Sequence, residues 1–583
     1  MSRKLAIVIS GAVSLGSYEA GVMYELLEAI ALRNEMLDID HPERVEIDVI
    51  TGASAGAMTA AILSQQIYYG GSQLRKPYDN PLFNAWVKKV NIDSLLKVKP
   101  KFHKYSLLSS AVVDEIGETY LPDDPGNVMD CHPTAADSMR LGLAMSNLNG
   151  FSQEIAGEKD SFAYSRYKDQ FVCQLKCVPP SGGQPATNNL VAGMKIQLSE
   201  MEPCIEGRQV VWSPMLNTCS WPILRMMAIS SGAFPFAFRA RRICRNGGSL
   251  TSLMRSRDSS RKAASGDQLY GGNYLYTDGG VFENEPVGMA SSLARDIDEK
   301  GGQSSRSYLF VAPGKRNIDA DPFFNQDDDL LAMAIGLASA VFGQSRFQQW
   351  VTEGLVGKLF TVTASNALLI GDVFLAFAGF LEYDFRAYDY NIGRRMARQK
   401  LREDKFSSLI GDFKVIDTKM KMIDWPDDGG AGASPPSPIP TVCGDNPFAD
   451  EKFEEGYGEF ETESWKQVRD ELVGLAQPCM VVEDGEPKRD QLLELRKLMG
   501  KADYKRRKLI AEQINSRVDS LVDFFNEDYL DKIDARKRSG RMRRLLRHHV
   551  VKPFTKLVLK RLIRPVLDVN VLNPLADERN IGE

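Results

Sequence analysis

Gly52-Ala53-Ser54-Ala55-Gly56 is a Gly-x-Ser-x-Gly string, and the chemistry that this spacing suits is nucleophilic attack by the serine hydroxyl. Glycines two residues to either side remove the Cβ atoms that would collide where a chain turns sharply from strand to helix. Ala53, Ala55 and Ala57 keep the corner small. A hydroxyl held there lies near a helix N-terminus, where backbone N–H groups favour developing negative charge. As a bare string the pattern arises by chance in about one chain of this length in four. A Gly/Ala-rich turn carrying an incidental serine is therefore the alternative.

A serine nucleophile needs a base. The five histidines are His41, His103, His132, His548 and His549. His132, after Cys131, is the one suited to a Ser-His-Asp arrangement, and such scarcity brings a carboxylate base into consideration. Asp278 stands in Tyr276-Thr-Asp-Gly-Gly280, where Tyr274, Leu275 and Tyr276 read as strand and Gly279 with Gly280 forces a turn. Asn284-Glu-Pro286 then opens a helix running to about Arg295. An aspartate before paired glycines is also an ordinary turn former, so both readings stand.

The elements that must hold these residues alternate. Leu5–Ile9 is a short apolar, β-branched run, and Ser17 to about Arg33 carries Val22, Leu26, Leu27 and Ile30 at helical spacing. Val45–Ile50 is a second strand and Ala55–Ile67 a second helix. Strand–helix–strand–helix with short connections predicts a parallel sheet covered by helices. Arg3-Lys4 before an apolar run imitates a secretory signal, but the run stops at Ser10-Gly11 and reads as a buried strand. The apolar stretch 364–381, interrupted by Asp372, reads as core helix rather than a membrane span.

In the 583 residues, 43% hydrophobic and 26% charged residues describe a globular chain. The net charge of −5 argues against nucleic acid over the whole surface. Eight cysteines make no disulfide scaffold and show no Cys-x-x-Cys pair; no metal-ligand cluster or cofactor motif is present. The expected organisation is a catalytic domain over 1–320 with a mobile Gly/Ser/Arg insert at about 246–272 and a mostly helical extension over 321–424. A Pro/Gly-rich and acidic linker follows at 425–465, then a charged helical region at 466–583.

Together these segments resemble the patatin-like phospholipase family in its bacterial form. Ser10-Gly-Ala-Val-Ser-Leu-Gly16 is similar to the family's glycine-rich oxyanion loop, and Gly52 to Gly56 to its Gly-x-Ser-x-Gly. Met227 to Pro235 resembles its small-residue segment ending in Phe-Pro, and Asp278 to Pro286 its Asp-Gly-Gly motif. Tyr388-Asp-Tyr-Asn-Ile-Gly-Arg394 is similar to a stretch beyond the core of some bacterial members. The resemblance implies a three-layer α/β/α core with a central, mostly parallel sheet and a Ser54–Asp278 dyad working without histidine or cofactor. It also implies an oxyanion hole of backbone N–H groups around Ala12 and Val13, and hydrolysis of lipid acyl esters through an acyl-enzyme. A catalytically silent adaptor on the same fold and an acyltransferase are the alternatives. Gly11 and Gly16 keep the loop's pattern, whereas Val13 replaces its middle glycine. Valine suits that position at negative φ and fits poorly at positive φ.

Residues 536–564 hold many Lys and Arg, no Asp or Glu, and interleaved Leu, Val, Phe and Met. Such a segment suits an anionic membrane surface; a helix packed on the catalytic domain is the alternative, and the scarcity of aromatics argues against nucleic acid. The expected location is cytoplasmic, peripheral to a membrane.

Overall fold

The protein's computed structural model describes residues 2–403 apart from 99–104, 127, 157–160, 179–193, 207–208, 236, 246–271, 302–305, 315–358, 365–368, 370–377 and 381–382, with isolated positions up to Met420. The insert expected at about 246–272, save its last residue, lies outside the described residues. So do the 425–465 linker and the 466–583 region with its basic segment 536–564.

Among the described residues ten strands form one mixed sheet: β1 (Arg3–Ile9), β2 (Val45–Gly52), β3 (Ala135–Ala156), β4 (Ser161–Val178), β5 (Lys195–Glu206), β6 (Gln209–Thr218), β7 (Arg241–Arg245), β8 (Gly272–Thr277), β9 (Arg306–Gly314) and β10 (Leu359–Ala364). The order is β10-β9-β1-β2-β3-β4-β5-β6, with β8 paired to the far part of β3 and β7 to β8. The run β10-β9-β1-β2-β3 is parallel. β1 lies at its centre, and its Leu5–Ile9 run is buried on both faces, as a strand between helical layers must be. An antiparallel meander, β3 to β6, extends the sheet on one side.

Helices α1 (Gly16–Glu35), α2 (Ala55–Tyr69), α3 (Trp221–Ser231), α4 (Val287–Gly301) and α5 (Tyr383–Leu401) make the outer layers. One apolar layer joins Leu5, Ile7 and Ile9 of β1 to α1, α2, α3 and α5. The other joins Ala6 and Val8 to Val287, Met289 and Leu293 of α4. The fold is the expected three-layer α/β/α sandwich. Both early helices begin at or within a residue of their expected starts.

The boundary expected at residue 320 does not hold. Leu359-Phe-Thr-Val-Thr-Ala364, inside the stretch read as helical, is a strand that pairs in parallel with β9. Its β-branched residues and alternation suit a pleated edge. Helix α5 then packs along α1, which explains why α1 is buried around its whole circumference rather than on one stripe. The two helices approach where Gly21 meets Gly393: a Cβ on Gly21 would stand 1.9 Å from the Tyr390 carbonyl oxygen. Beside this crossing the buried Glu25 carboxylate pairs with Arg394 at 3.0 Å and with Arg398. Deleting one partner of such a buried pair costs about 3–5 kcal/mol.

Candidate active site

Ser54 follows β2 and is the N-cap of α2, at φ 53°, ψ −124°. A non-glycine residue in this left-handed region costs on the order of 1–3 kcal/mol and persists only where its surroundings over-determine it. They do so here. Ala53 N–H donates to the Ile9 carbonyl at 3.2 Å, and Ser54 N–H to the Ser231 hydroxyl at 3.0 Å. The helix start also presses against the end of β1, since a Cβ on Gly56 would lie 2.3 Å from the Ser10 carbonyl oxygen. The motif's outer glycines, Gly52 and Gly56, thus serve close approach, and its strained backbone is carried by the serine itself.

Asp278 follows β8, a strand 224 residues further along the chain than the serine turn, and its Oδ2 accepts the Ser54 hydroxyl proton at 2.5 Å. Its other oxygen accepts the Gly280 N–H at 2.6 Å, which fixes the carboxylate plane. Gly279 lies flat against β3, where a Cβ would meet the Ala144 carbonyl oxygen at 2.1 Å. Asp278 is buried, and desolvation pushes its carboxyl up to about 7 against the lowering effect of the bonds from Ser54 and Gly280. A group so tuned exchanges protons near neutral pH.

The loop between β1 and α1 completes the enclosure. Gly11 N–H donates to the Asn284 carbonyl at 3.0 Å, and the Asn284 side-chain amide donates to the Gly11 carbonyl at 3.3 Å. A Cβ on Gly11 would come 3.0 Å from that of Ser54. The backbone enters the left-handed region at Val13, φ 52°. Of the two geometries open to this position, the chain adopts the one that suits glycine. Ala12 and Val13 N–H groups donate to no backbone acceptor among the described residues. Gly16 packs on the Trp86 ring, with no room for a side chain.

His132 stands elsewhere. Its backbone N–H donates to Ile67 near the C-terminal end of α2, about 20 Å from Ser54 by the helical rise of thirteen residues. Its Nδ1 lies 2.8 Å from the Thr134 hydroxyl, and burial lowers its pKa to about 3. The Ser-His-Asp alternative through His132 is thereby excluded. His41 contacts Glu43 in the loop before β2, and His103 lies outside the described residues.

Two contributors went unassigned in the sequence. Ser231, at the end of α3, accepts from Ser54 N–H, donates to Ala144 at 2.7 Å, and its carbonyl accepts Gly279 N–H at 3.0 Å. Asn284 ties the Asp278 turn to the Gly11 loop. Both lie in segments singled out for their resemblance, and only partners distant in sequence reveal their roles. Among the described residues no group of His, Cys, Asp or Glu is arranged to hold a metal ion, and no helix is long and apolar enough to cross a membrane.

The serine turn, the loop after β1 and the start of the β3–β4 hairpin coincide with a recognised domain. The family model of patatin-like phospholipase matches residues 7–169, which supports the resemblance to that family. Asp278 falls beyond the matched span. The chain is also similar to the uncharacterized protein y4iI of Sinorhizobium fredii (strain NBRC 101917 / NGR234), at 22% identity over 498 residues. The match takes in 73% of this chain and 66% of that protein, so the chain spans just under two thirds of its relative's length.

Proposed function

We propose that the chain is a serine acyl hydrolase that cleaves fatty-acyl esters of phospholipids or related lipids through Ser54 and Asp278. The observation that carries this reading is the 2.5 Å hydrogen bond from the Ser54 hydroxyl to a buried carboxylate poised near pH 7. The family of residues 7–169 supplies the substrate class.

In the first step Ser54 Oγ attacks the ester carbonyl and its proton passes to Asp278 Oδ2. The negative charge moves to the carbonyl oxygen, stabilised by the N–H groups of Ala12 and Val13; one such donor is worth about 3–4 kcal/mol in a preorganised site. The tetrahedral adduct collapses, the C–O bond to the alcohol breaks, and Asp278 returns its proton to the departing alkoxide. In the second step water attacks the acyl-serine, gives its proton to Asp278, and the fatty acid leaves as Ser54 recovers its hydrogen. An aspartate of ordinary acidity near 3.9 is a feeble base. Desolvation of Asp278 raises its basicity by about a thousandfold, and the fixed carboxylate needs no reorganisation.

Lipid-product analysis with the full chain tests this directly. Ser54→Ala and Asp278→Asn are expected to lower fatty-acid release by about 10²–10⁴-fold, with His132→Ala unchanged. Full activity in either of the first two variants removes the dyad. If Ser54 resists a serine-reactive phosphonate and no ester is cleaved, the chain is an adaptor on this fold. Transfer of the acyl group to an alcohol instead of water marks an acyltransferase.

A further inference from the structure

The ribbon leading into Asp278 carries side chains that a water-facing surface does not need. Leu275, three residues before Asp278, is 39% exposed, and Arg242 stands opposite it on β7, also exposed. Leu148, 47% exposed, follows Asn147, the β3 partner of Tyr276, and the neighbouring Asn149 side chain accepts the Leu275 N–H at 2.7 Å. Gly150 then packs on the ring of Tyr167, 42% exposed, which stacks on Phe282 at 6.1 Å. Phe282 belongs to the turn that begins at Asp278. Leu148 and Leu275, two of the ten large apolar side chains exposed among the described residues, thus belong to neighbouring residues of the paired ribbon, and a third, Tyr167, lies against the turn that follows Asp278.

Charge accompanies this apolar belt. Arg239, Arg241, Arg242 and Arg245 fall within seven residues that hold no acid. Arg241 is committed to Asp114 at 2.7 Å, whereas no described residue forms an ion pair with Arg242. Exposed leucine opposite an exposed guanidinium, with a tyrosine exposed at the turn after Asp278, matches a surface that is apolar within and negatively charged at its rim, which is the profile of an anionic bilayer. Water offers no partner to the first set of groups, and an acidic soluble ligand offers none to the leucines.

We propose that the β3–β8–β7 ribbon, through Leu148, Leu275, Tyr167, Phe282 and Arg242, is the face by which the protein seats on an anionic lipid bilayer, with the mouth of the Ser54–Asp278 site against it. The choice of bilayer rests on the proposed lipid-ester chemistry, and the surface is distinct from the 536–564 segment. Seating there brings the ester to a serine that is only 5% exposed without full extraction of the lipid into water.

The test separates docking from catalysis. Full-length Ser54→Ala protein is sedimented with vesicles of phosphatidylglycerol and phosphatidylcholine in equal parts, and again with phosphatidylcholine alone. Leu275→Asp and Arg242→Glu, each added to Ser54→Ala, are expected to lower partition onto the anionic vesicles by at least about fivefold, the effect of one basic residue near such a surface. Arg242→Lys is expected to retain it. In the chain with Ser54 intact, the same substitutions are expected to leave hydrolysis of a dissolved short-chain ester within about twofold while vesicle hydrolysis falls with partition. Their thermal midpoints, compared with the parent, establish folding whether or not any ester is cleaved. Unchanged vesicle partition in both folded variants overturns the proposal. A change of oligomeric state in Leu275→Asp without loss of partition assigns the belt to a second copy of the chain instead. Absence of ester hydrolysis with partition still dependent on Leu275 and Arg242 removes the catalytic reading and leaves the surface standing.

Discussion

The hydroxyl of Ser231 accepts the backbone N–H of Ser54 at 3.0 Å while its own proton is donated to the carbonyl of Ala144 at 2.7 Å. One small side chain thus links α3 to β3 and to the strained turn that presents Ser54. Ser231→Ala leaves a buried N–H without its acceptor, a cost of about 1–3 kcal/mol. The expected result is a fall in kcat of about tenfold or more on a dissolved ester with KM little changed, since the substitution displaces the nucleophile and touches no substrate. Loss confined to KM contradicts this role.

In the proposed mechanism the proton acceptor sets the pH profile. Asp278 must be ionised to take the Ser54 proton, and its pKa of about 7 predicts that kcat/KM falls on the acid side with a midpoint near 7. A profile flat from pH 5 to 8 contradicts Asp278 as base.

The same burial opposes folding. Asp278 is raised above its unfolded value of 3.8, so its contribution is fully favourable below about pH 4 and is lost as pH rises through 7. At pH 8 the ionised carboxylate costs the fold on the order of 4 kcal/mol against an ordinary aspartate. Asp278→Asn is therefore expected to be inactive yet more stable than the parent in urea at pH 8, with the gap narrowing toward pH 4. A gap that widens on acidification reverses the sign and refutes the assignment.

Val13 at φ 52° stores strain of about 1–3 kcal/mol, of which glycine returns roughly 1 kcal/mol to the unfolded chain. Val13→Gly is expected to gain up to about 2 kcal/mol of unfolding free energy, read by denaturant titration, and to keep ester hydrolysis. A less stable variant shows that the packing of the valine side chain outweighs its backbone.

Ending the chain after residue 320 removes β10 and α5, uncovers the outer flank of α1 and leaves Glu25 without Arg394 and Arg398. The truncated chain is expected to be insoluble or to lack a cooperative thermal transition. A well-folded, active product shows that the core closes without its last helix.

Much of the site was legible because its residues act through local geometry. A Gly-x-Ser-x-Gly after an apolar β-branched run announces a strand-to-helix turn, and Asp-Gly-Gly announces the end of a strand. Local pattern alone left open whether Asp278 or His132 lies beside Ser54, since 224 residues separate the pair that meets; only the family resemblance pointed to Asp278. The long hairpin of β3 and β4 escaped notice as well. Its segments mix Met, Ala, Ser, Asn and Gly with few β-branched residues, and their strand form comes from pairing with each other and with β2 rather than from propensity. Likewise α1 shows its polar Glu25 as if for solvent, and only the arginines of α5 explain why that carboxylate is interior.

The crossing of α1 and α5 at Gly21 and Gly393 has a consequence for biosynthesis. Some 350 residues emerge from the ribosome between the end of α1 and the start of its partner helix, which at about 5–20 residues per second takes roughly 20–70 s. Throughout that interval the nascent protein holds a finished first helix with one naked side and an unmatched acid. Until its partner helix emerges, that flank is open to the non-native contacts from which holding chaperones shield a nascent chain.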